Sequence, residues 1–331
     1  MYDVVIIGAG PAGITSAIYC ARSNLKVALI DKGLIGGNPL NYLEIENYPG
    51  LPGTTENLVD KFLEHLNKYP NIEIFEFEDI EFVDLKEKIV KTTEGELQGK
   101  KIIIATGSKP RMLNVPGEEE YIGKGVHYCA ICDGPLYKDK IVAVIGGGNS
   151  ACEEALGLAK ICKLVYIVEY TDKLNAEQTT IDKIIQAENI EVITGYGLTS
   201  IEEAGQKEKE DMLSEEESKA TWFKLTIKPR QFFEKREDTV TFESLPPTRI
   251  FPVNGIFPYI GMSPNLPQIK LDAEALDYMT DDDGYLIVNN NMQVMLPDVY
   301  AIGDITNKKY RQVITAMSDG AIAAIHISKT I

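Results

Sequence analysis

Two cysteines three positions apart carry the clearest chemistry in this 331-residue chain: Cys129 and Cys132, in the run Cys129-Ala130-Ile131-Cys132-Asp133. A C-x-x-C pair can close a small disulfide ring and lower the pKa of one thiol. Asp133 adjoins Cys132, where it can carry the proton that thiol–disulfide exchange requires. The competing use of such a pair is zinc, but a structural zinc site wants four ligands. His127 with the two cysteines makes three, at spacings that fit no common knuckle, and there is no second C-x-x-C. No metal is therefore expected. Cys20, Cys152 and Cys162 fall in helix-like stretches and read as small buried hydrophobes.

A second set of residues suits phosphate and ribose binding. The apolar run 3–7 reads as a buried parallel strand. Gly8-Ala9-Gly10-Pro11-Ala12-Gly13 follows, then an alanine-rich helix to about Arg22, then a strand over 26–30 that ends at Asp31. Gly8 permits the tight turn, Gly10 lets the backbone approach a pyrophosphate, and Gly13 lets helix and strand pack closely. The helix N-terminus supplies amide donors and positive dipole, with Pro11 and Ala12 in its first turn. Asp31 lies 31 − 8 = 23 residues after Gly8, close to the ~20 at which an acid meets a ribose hydroxyl. Two later turns point to FAD as the dinucleotide. One is Ala105-Thr106-Gly107 after the strand over 101–104; the other is Gly303-Asp304 after the strand over 298–302, where a carboxylate can meet a ribityl hydroxyl.

A second β-α-β unit opens with the strand over 141–145, continues through Gly146-Gly147-Gly148-Asn149-Ser150-Ala151 and a helix to about Cys162, and ends with a strand over 164–168 followed by Glu169. The fold class is therefore α/β, with two Rossmann-like dinucleotide-binding domains. Residues 202–219 are rich in Glu and Lys. They are expected to form a solvated insertion, with an acidic docking surface as the rival reading. Strands are expected again over 222–227 and 249–253, and a final helix from about Arg311.

The bulk composition excludes other classes. A formal net charge of −17 argues against nucleic acid as a partner. No apolar run approaches the ~18 residues of a membrane span, and no signal peptide is recognisable, which makes the cytoplasm the expected location.

The chain resembles the low-molecular-weight thioredoxin reductases over nearly its whole length. The resemblance rests on Gly8–Gly13, Gly36-Gly37, Glu46-Asn47-Tyr48-Pro49-Gly50 and Ala105-Thr106-Gly107. It continues in Cys129–Gly134, Gly146–Ala151, Gly261-Met262-Ser263-Pro264-Asn265, Gly303-Asp304 and Tyr310-Arg311-Gln312. It implies an FAD domain in two pieces, 1–114 and 248–331. Between them, 115–247 would be a pyridine-nucleotide-type domain carrying the disulfide, with hinges near 114–117 and 246–248. It further implies that Gly37, Asn38 and Asn47 join the cofactor site, that Arg311, Gln312 and Ala316 line the flavin, and that the protein is a homodimer acting on thioredoxin. Electrons would pass from FAD to the Cys129–Cys132 pair and then to thioredoxin through a mixed disulfide. Cys132 is expected to be the thiol facing flavin because Asp133 adjoins it; which cysteine attacks thioredoxin stays open.

Two departures from the family pattern stand out. NADPH-using members follow the second strand with His-Arg-Arg-x-x-x-Arg, whose arginines hold the 2′-phosphate. Here those positions read Glu169, Tyr170, Thr171 and Asn175. Two donors are compatible with that. Glu169, 169 − 146 = 23 residues after Gly146, can accept from a ribose 2′-hydroxyl and give an NADH enzyme. Alternatively the nucleotide site is vestigial and the chain resembles the ferredoxin-dependent flavin thioredoxin reductases, which fits the loss of the whole basic motif. An FAD-dependent dithiol oxidase on the same fold is a further alternative. The second departure is Asn38, where the family usually has Gln.

Overall fold

The structure, a computed structural model, describes every residue except 42, 43, 46, 52, 206–221 and 231–245. It divides into two compact units: Met1–Lys109 with Met262–Ile331, and Pro110–Gly261.

The first unit is built on a seven-stranded sheet. Its parallel part runs Ile72–Phe75, Val27–Ile30, Tyr2–Ile7, Glu96–Ile104 and Val299–Ala301. Within Tyr2–Ile7, residues 4–7 are continuous Val and Ile because both faces are covered, which is what a central parallel strand demands. The strand Glu96–Ile104 does two jobs. Its last residues join the parallel sheet, and its first pair antiparallel with Ile89–Thr92. One face is packed by the helices Pro11–Arg22 and Val313–Thr330. Gly320 lets these two helices meet, since a Cβ there would strike the Ala12 carbonyl.

The second unit has a four-stranded parallel sheet in the order Ile190–Thr194, Leu164–Glu169, Ile141–Ile145, Gly255–Pro258. Beside it lies a three-stranded antiparallel sheet, Tyr196–Glu203, Phe223–Pro229 and Arg249–Val253. The expected insertion at 202–219 begins inside a strand, and its residues 206–219 lie outside the described residues.

The unit boundaries differ from the expected 114/115 and 247/248, for reasons visible in the pairing. Gly255–Pro258 completes the second unit's parallel sheet through Val142–Ile145, so the chain returns only after Gly261. On the outward crossing, Glu118 accepts from the amides of Leu113 and Asn114, at 2.7 and 2.6 Å, and Ile201 N–H donates to Pro116. These bonds fasten 113–117 to the second unit, whereas a hinge was expected there. Next to the crossings, Arg111 N–H donates to the Gly261 carbonyl at 3.0 Å.

Glu154 lies on the buried face of the helix Asn149–Ala159. Burial, helped by the charge of Glu153, pushes its carboxyl up to about 7 from an ordinary 4.5. The folded chain thus holds a proton that the unfolded chain releases. That contribution is complete below about pH 4.5 and is lost as pH rises through about 7. Glu154→Gln is expected to raise stability at pH 8 by on the order of 3 kcal/mol, and to change it little at pH 4.5. Urea denaturation at the two pH values checks this; equal effects at both would refute it.

Candidate functional site

In the first unit, the loops at the C-terminal ends of the parallel strands converge. Gly8 has φ +104°, and a Cβ on it would overlap the Ala105 carbonyl. Gly37 has φ +65° and comes so near Gly10 that its Cβ would be 2.8 Å from the Gly10 Cα. Gly303, φ +74°, would place a Cβ 2.9 Å from the Ala12 methyl and 3.7 Å from that of Ala316. Gly8, Gly10, Pro11, Ala12, Gly13, Gly37, Ala105, Gly303 and Ala316 thus form one crowded cradle of backbone around the start of the helix Pro11–Arg22.

Polar side chains close on this cradle. Asn38 donates to the Ser108 carbonyl at 2.9 Å, beside Gly107. Asn47 donates to Gln312 at 2.9 Å, and Gln312 and Thr315 form a capping box on the helix Val313–Thr330. Two buried oxygens, Thr106 Oγ1 and Asp304 Oδ1, have no hydrogen-bond partner among the described residues. Burial raises the Asp304 carboxyl above the ordinary range against the opposing pull of Lys308 and Arg311. A buried polar atom without a partner costs ~1–3 kcal/mol, so these two oxygens call for a polar ligand.

Asp31, expected to meet a ribose hydroxyl, also organises the loop: its oxygens accept from Ala9 N–H at 2.7 Å and Gly33 N–H at 2.9 Å, one bond each. Arg311 stacks on the Tyr285 ring at 3.9 Å and donates to the Asp304 and Thr306 carbonyls. It fixes the turn that carries Asp304. Sequence reasoning missed Asp319, which accepts from Gly303 N–H at 3.0 Å and pairs with Lys308. It also missed Asn265, which donates to the Thr106 carbonyl at 3.3 Å and through its backbone to Gly107. The spacing of Asp319 from Gly303 gives no signal without the helix that carries it.

In the second unit, the glycine-rich turn is occupied by a carboxylate. Glu169 is buried. Its Oε1 accepts from Thr171 N–H at 2.7 Å and from Thr171 Oγ1 at 2.6 Å. Its Oε2 lies where it would be 2.7 Å from a Cβ on Gly147. Asn175 N–H donates to the Gly147 carbonyl at 2.7 Å, and its side chain to Thr171. The nearby Arg230 pairs with Asp172 at 3.6 Å.

Cys129 and Cys132 form a disulfide, with Cα atoms 5.3 Å apart. Cys129 caps the short helix Ala130–Asp133, its sulfur accepting from Cys132 N–H at 3.2 Å. Tyr259 Oη accepts from Ala130 N–H at 3.1 Å and braces the same turn. Cys129 is half-buried and Cys132 exposed, so a disulfide partner can reach the pair. The three remaining thiols are buried, and burial pushes Cys20 up to about 12 and Cys152 and Cys162 up to about 11. Thiolates are the reactive form, so these three are inert. Among the described residues, no group of three or more His, Cys, Asp or Glu is placed to hold a metal ion. No helix of the described chain is long and apolar enough to cross a membrane.

Residues 2–320 match the pyridine nucleotide-disulphide oxidoreductase family. The thioredoxin reductase of Bacillus subtilis strain 168 is 36% identical over 327 residues, covering 98% of this chain and 93% of that protein. This chain belongs to the low-molecular-weight thioredoxin reductase family. Among solved structures, the family's Lactococcus lactis member superposes with TM-score 0.82 at 34% identity, covering 99% of this chain and 98% of that one. The crystal structure of T. acidophilum thioredoxin reductase also gives 0.82, at 30% identity over 99% of this chain and 98% of that one. Like the family, the chain is an FAD-dependent disulfide oxidoreductase. Its glycine cradle and the two partnerless oxygens of Thr106 and Asp304 fit that cofactor.

Proposed function

We propose that this reductase carries electrons from reduced ferredoxin through FAD to the Cys129–Cys132 disulfide, and from the resulting dithiol to thioredoxin. The carrying observation is Glu169, a buried carboxylate held beside Gly147 by both donors of Thr171. A 2′-phosphate brought to that turn would meet like charge at short range, which costs roughly several kcal/mol. Thr171 and Asn175, where arginines would neutralise it, are bonded to each other at 2.9 Å. NADH is the second reading, favoured by the placement of an acid at the end of the strand Leu164–Glu169. Against it, Oε1 of that acid already accepts twice.

FAD supplies two-electron redox chemistry when bound and can be filled one electron at a time. The residues proposed to hold it are Gly8, Gly10, Pro11, Ala12 and Gly13 at the pyrophosphate, with Thr106 and Asp304 offering their free oxygens. Gly37, Asn38, Asn47, Ala105, Gly107, Gly303, Gln312 and Ala316 would complete the walls, while Asp31 and Arg311 hold the loops. In solution the protein is proposed to be a homodimer. Exposed Ile314, Ile322 and Ile325 on the last helix suit a subunit contact.

Anaerobic mixing with reduced ferredoxin is expected to bleach the flavin fully, and NADPH at micromolar concentration to leave it oxidised. Rapid bleaching by NADPH would overturn the donor assignment. Bleaching by NADH alone would select the second reading.

A further inference from the structure

The disulfide motif is backed by a buried side-chain chain that the sequence motif does not contain. His127 is buried, two residues before Cys129. Its Nδ1 lies 3.2 Å from Asp133 Oδ2, and its Nε2 lies 2.7 Å from Tyr137 Oη. The ring is stacked on Phe257 at 5.7 Å, and Phe257 meets Tyr137 edge-on at 5.6 Å. Every ring atom that can bond is therefore used, and the imidazole cannot turn without losing both bonds.

Burial, reinforced by the charge of Asp133, pushes the Tyr137 phenol up to about 12. The protonated phenol and His127 Nε2 share one hydrogen bond at 2.7 Å. On the other side of the ring, Nδ1 faces the Asp133 carboxylate, which only accepts, so the proton of that contact sits on Nδ1. Asp133 itself is about one-third exposed at its side chain (33%) and follows Cys132 directly.

We propose that His127, backed by Tyr137, is a positioning residue that holds the Asp133 side chain in place for proton transfer during thiol–disulfide exchange. The proposal rests on the disulfide-reductase reading and deepens it. The balance is as follows. One cysteine of the dithiol gives its proton to the Asp133 carboxylate, and its thiolate attacks the substrate disulfide. A mixed disulfide forms, and the expelled substrate sulfur takes that proton. The second cysteine then gives up its proton in the same way and breaks the mixed disulfide. The enzyme disulfide closes, and the other substrate sulfur is protonated. Two electrons and two protons have moved, and Asp133 ends as it began. Each step needs the Asp133 carboxylate at the reacting cysteine, so a bond that fixes its side chain speeds exchange.

The groups facing the imidazole are few: Asp133 and Tyr137, with Tyr259 Oη on Ala130 N–H and the two cysteines beside them. Lys140 Nζ lies 5.5 Å from the Tyr137 ring.

The test is single-turnover oxidation of the pre-reduced holoenzyme by hydroxyethyl disulfide and by thioredoxin, across pH 5 to 9. His127→Ala is expected to make exchange about tenfold slower. His127→Asn, whose amide can donate from the Nδ1 position, is expected to restore the rate. Tyr137→Phe should slow exchange by less. In an Asp133→Asn background the His127 changes should have no further effect, which a merely structural role would not produce. An unchanged rate in Tyr137→Phe and His127→Ala, or an equal loss from His127→Ala with and without Asp133, would overturn the proposal. If His127→Ala does not fold, the comparison of wild type, Tyr137→Phe and His127→Asn decides it alone. A dithiol that reduces hydroxyethyl disulfide but not thioredoxin would instead overturn the substrate reading and leave the relay standing.

Discussion

Cys129→Ser and Cys132→Ser enzymes are each expected to lose thioredoxin reduction by at least about a thousandfold, while keeping the flavin spectrum of the parent. The size follows from the chemistry. Electrons leave through a covalent step in which one thiolate attacks and the other resolves, and serine performs neither at neutral pH. Groups that act as a unit are not additive, so the double variant should be no worse than either single one. Flavin binding should survive because the cofactor cradle and the cysteines belong to different compact units. The two single variants should nevertheless differ. The one that keeps the attacking cysteine will trap a stable mixed disulfide with thioredoxin, visible as a mass increase that dithiothreitol reverses. That outcome assigns the attacker, which the geometry of half-buried Cys129 and exposed Cys132 leaves open. The control is Cys152→Ala. Its thiol is buried and pushed up to about 11, so turnover should be unchanged. Residual turnover above one per cent in either serine variant would mean electrons leave by another route.

What the sequence discloses, and what it hides, follows from the range of the interaction involved. Gly8, Gly10 and Gly13 are legible because their role is local. A strand, a tight turn and a helix within about 20 residues give a recognisable spacing. The Cys129–Cys132 pair is legible for the same reason. Asp31 shows what spacing leaves out: it places an acid at the end of the strand but not the bonds from Ala9 and Gly33 N–H that hold its carboxylate. The strand Gly255–Pro258 was assigned to the wrong unit because its partner, Ile141–Ile145, is more than a hundred residues away. Nothing local in Gly-Ile-Phe-Pro distinguishes the two sheets. Asp319 and Tyr137 are invisible for a similar reason. Each acts on a residue brought near by a helical turn or a fold-back, Gly303 at 3.0 Å and His127 at 2.7 Å. His127 itself was weighed only as a zinc ligand, because the stacked Phe257 that fixes its ring comes from a distant strand.

Gly8→Ala is expected to give a destabilised protein that does not retain FAD, whereas Gly10→Ala is expected to fold normally and bind FAD weakly. The two glycines sit in one motif but for separable reasons. At Gly8 the backbone has φ +104°, which an L side chain rarely adopts, and a Cβ would lie 2.6 Å from the Ala105 carbonyl carbon. Strain of that kind costs of order 1–3 kcal/mol before the overlap is counted, and relieving it moves the Ala105-Thr106-Gly107 turn. That turn carries Thr106, whose buried oxygen lacks a partner among the described residues, so stability and cofactor site fail together. Gly10 has an ordinary extended backbone, φ −76° and ψ −177°, and its Cβ would meet only the Gly37 Cα, at 3.9 Å. The chain therefore tolerates alanine there. What alanine removes is the close approach of a pyrophosphate to the amides that open the helix Pro11–Arg22. Charge-assisted hydrogen bonds of that type are worth about 1.5–3 kcal/mol, so affinity for FAD should fall roughly ten- to a hundredfold. Gly148→Ala is the matched control in the second unit. It occupies the position equivalent to Gly10, with φ −80° and open space where its Cβ would go. If the second nucleotide site is vestigial, it should alter neither FAD content nor electron entry from ferredoxin. Thermal denaturation of each apoprotein and fluorescence titration with FAD separate the three cases. An unstable Gly10→Ala apoprotein, or a stable Gly8→Ala protein with full flavin, would contradict the division of roles between the two glycines.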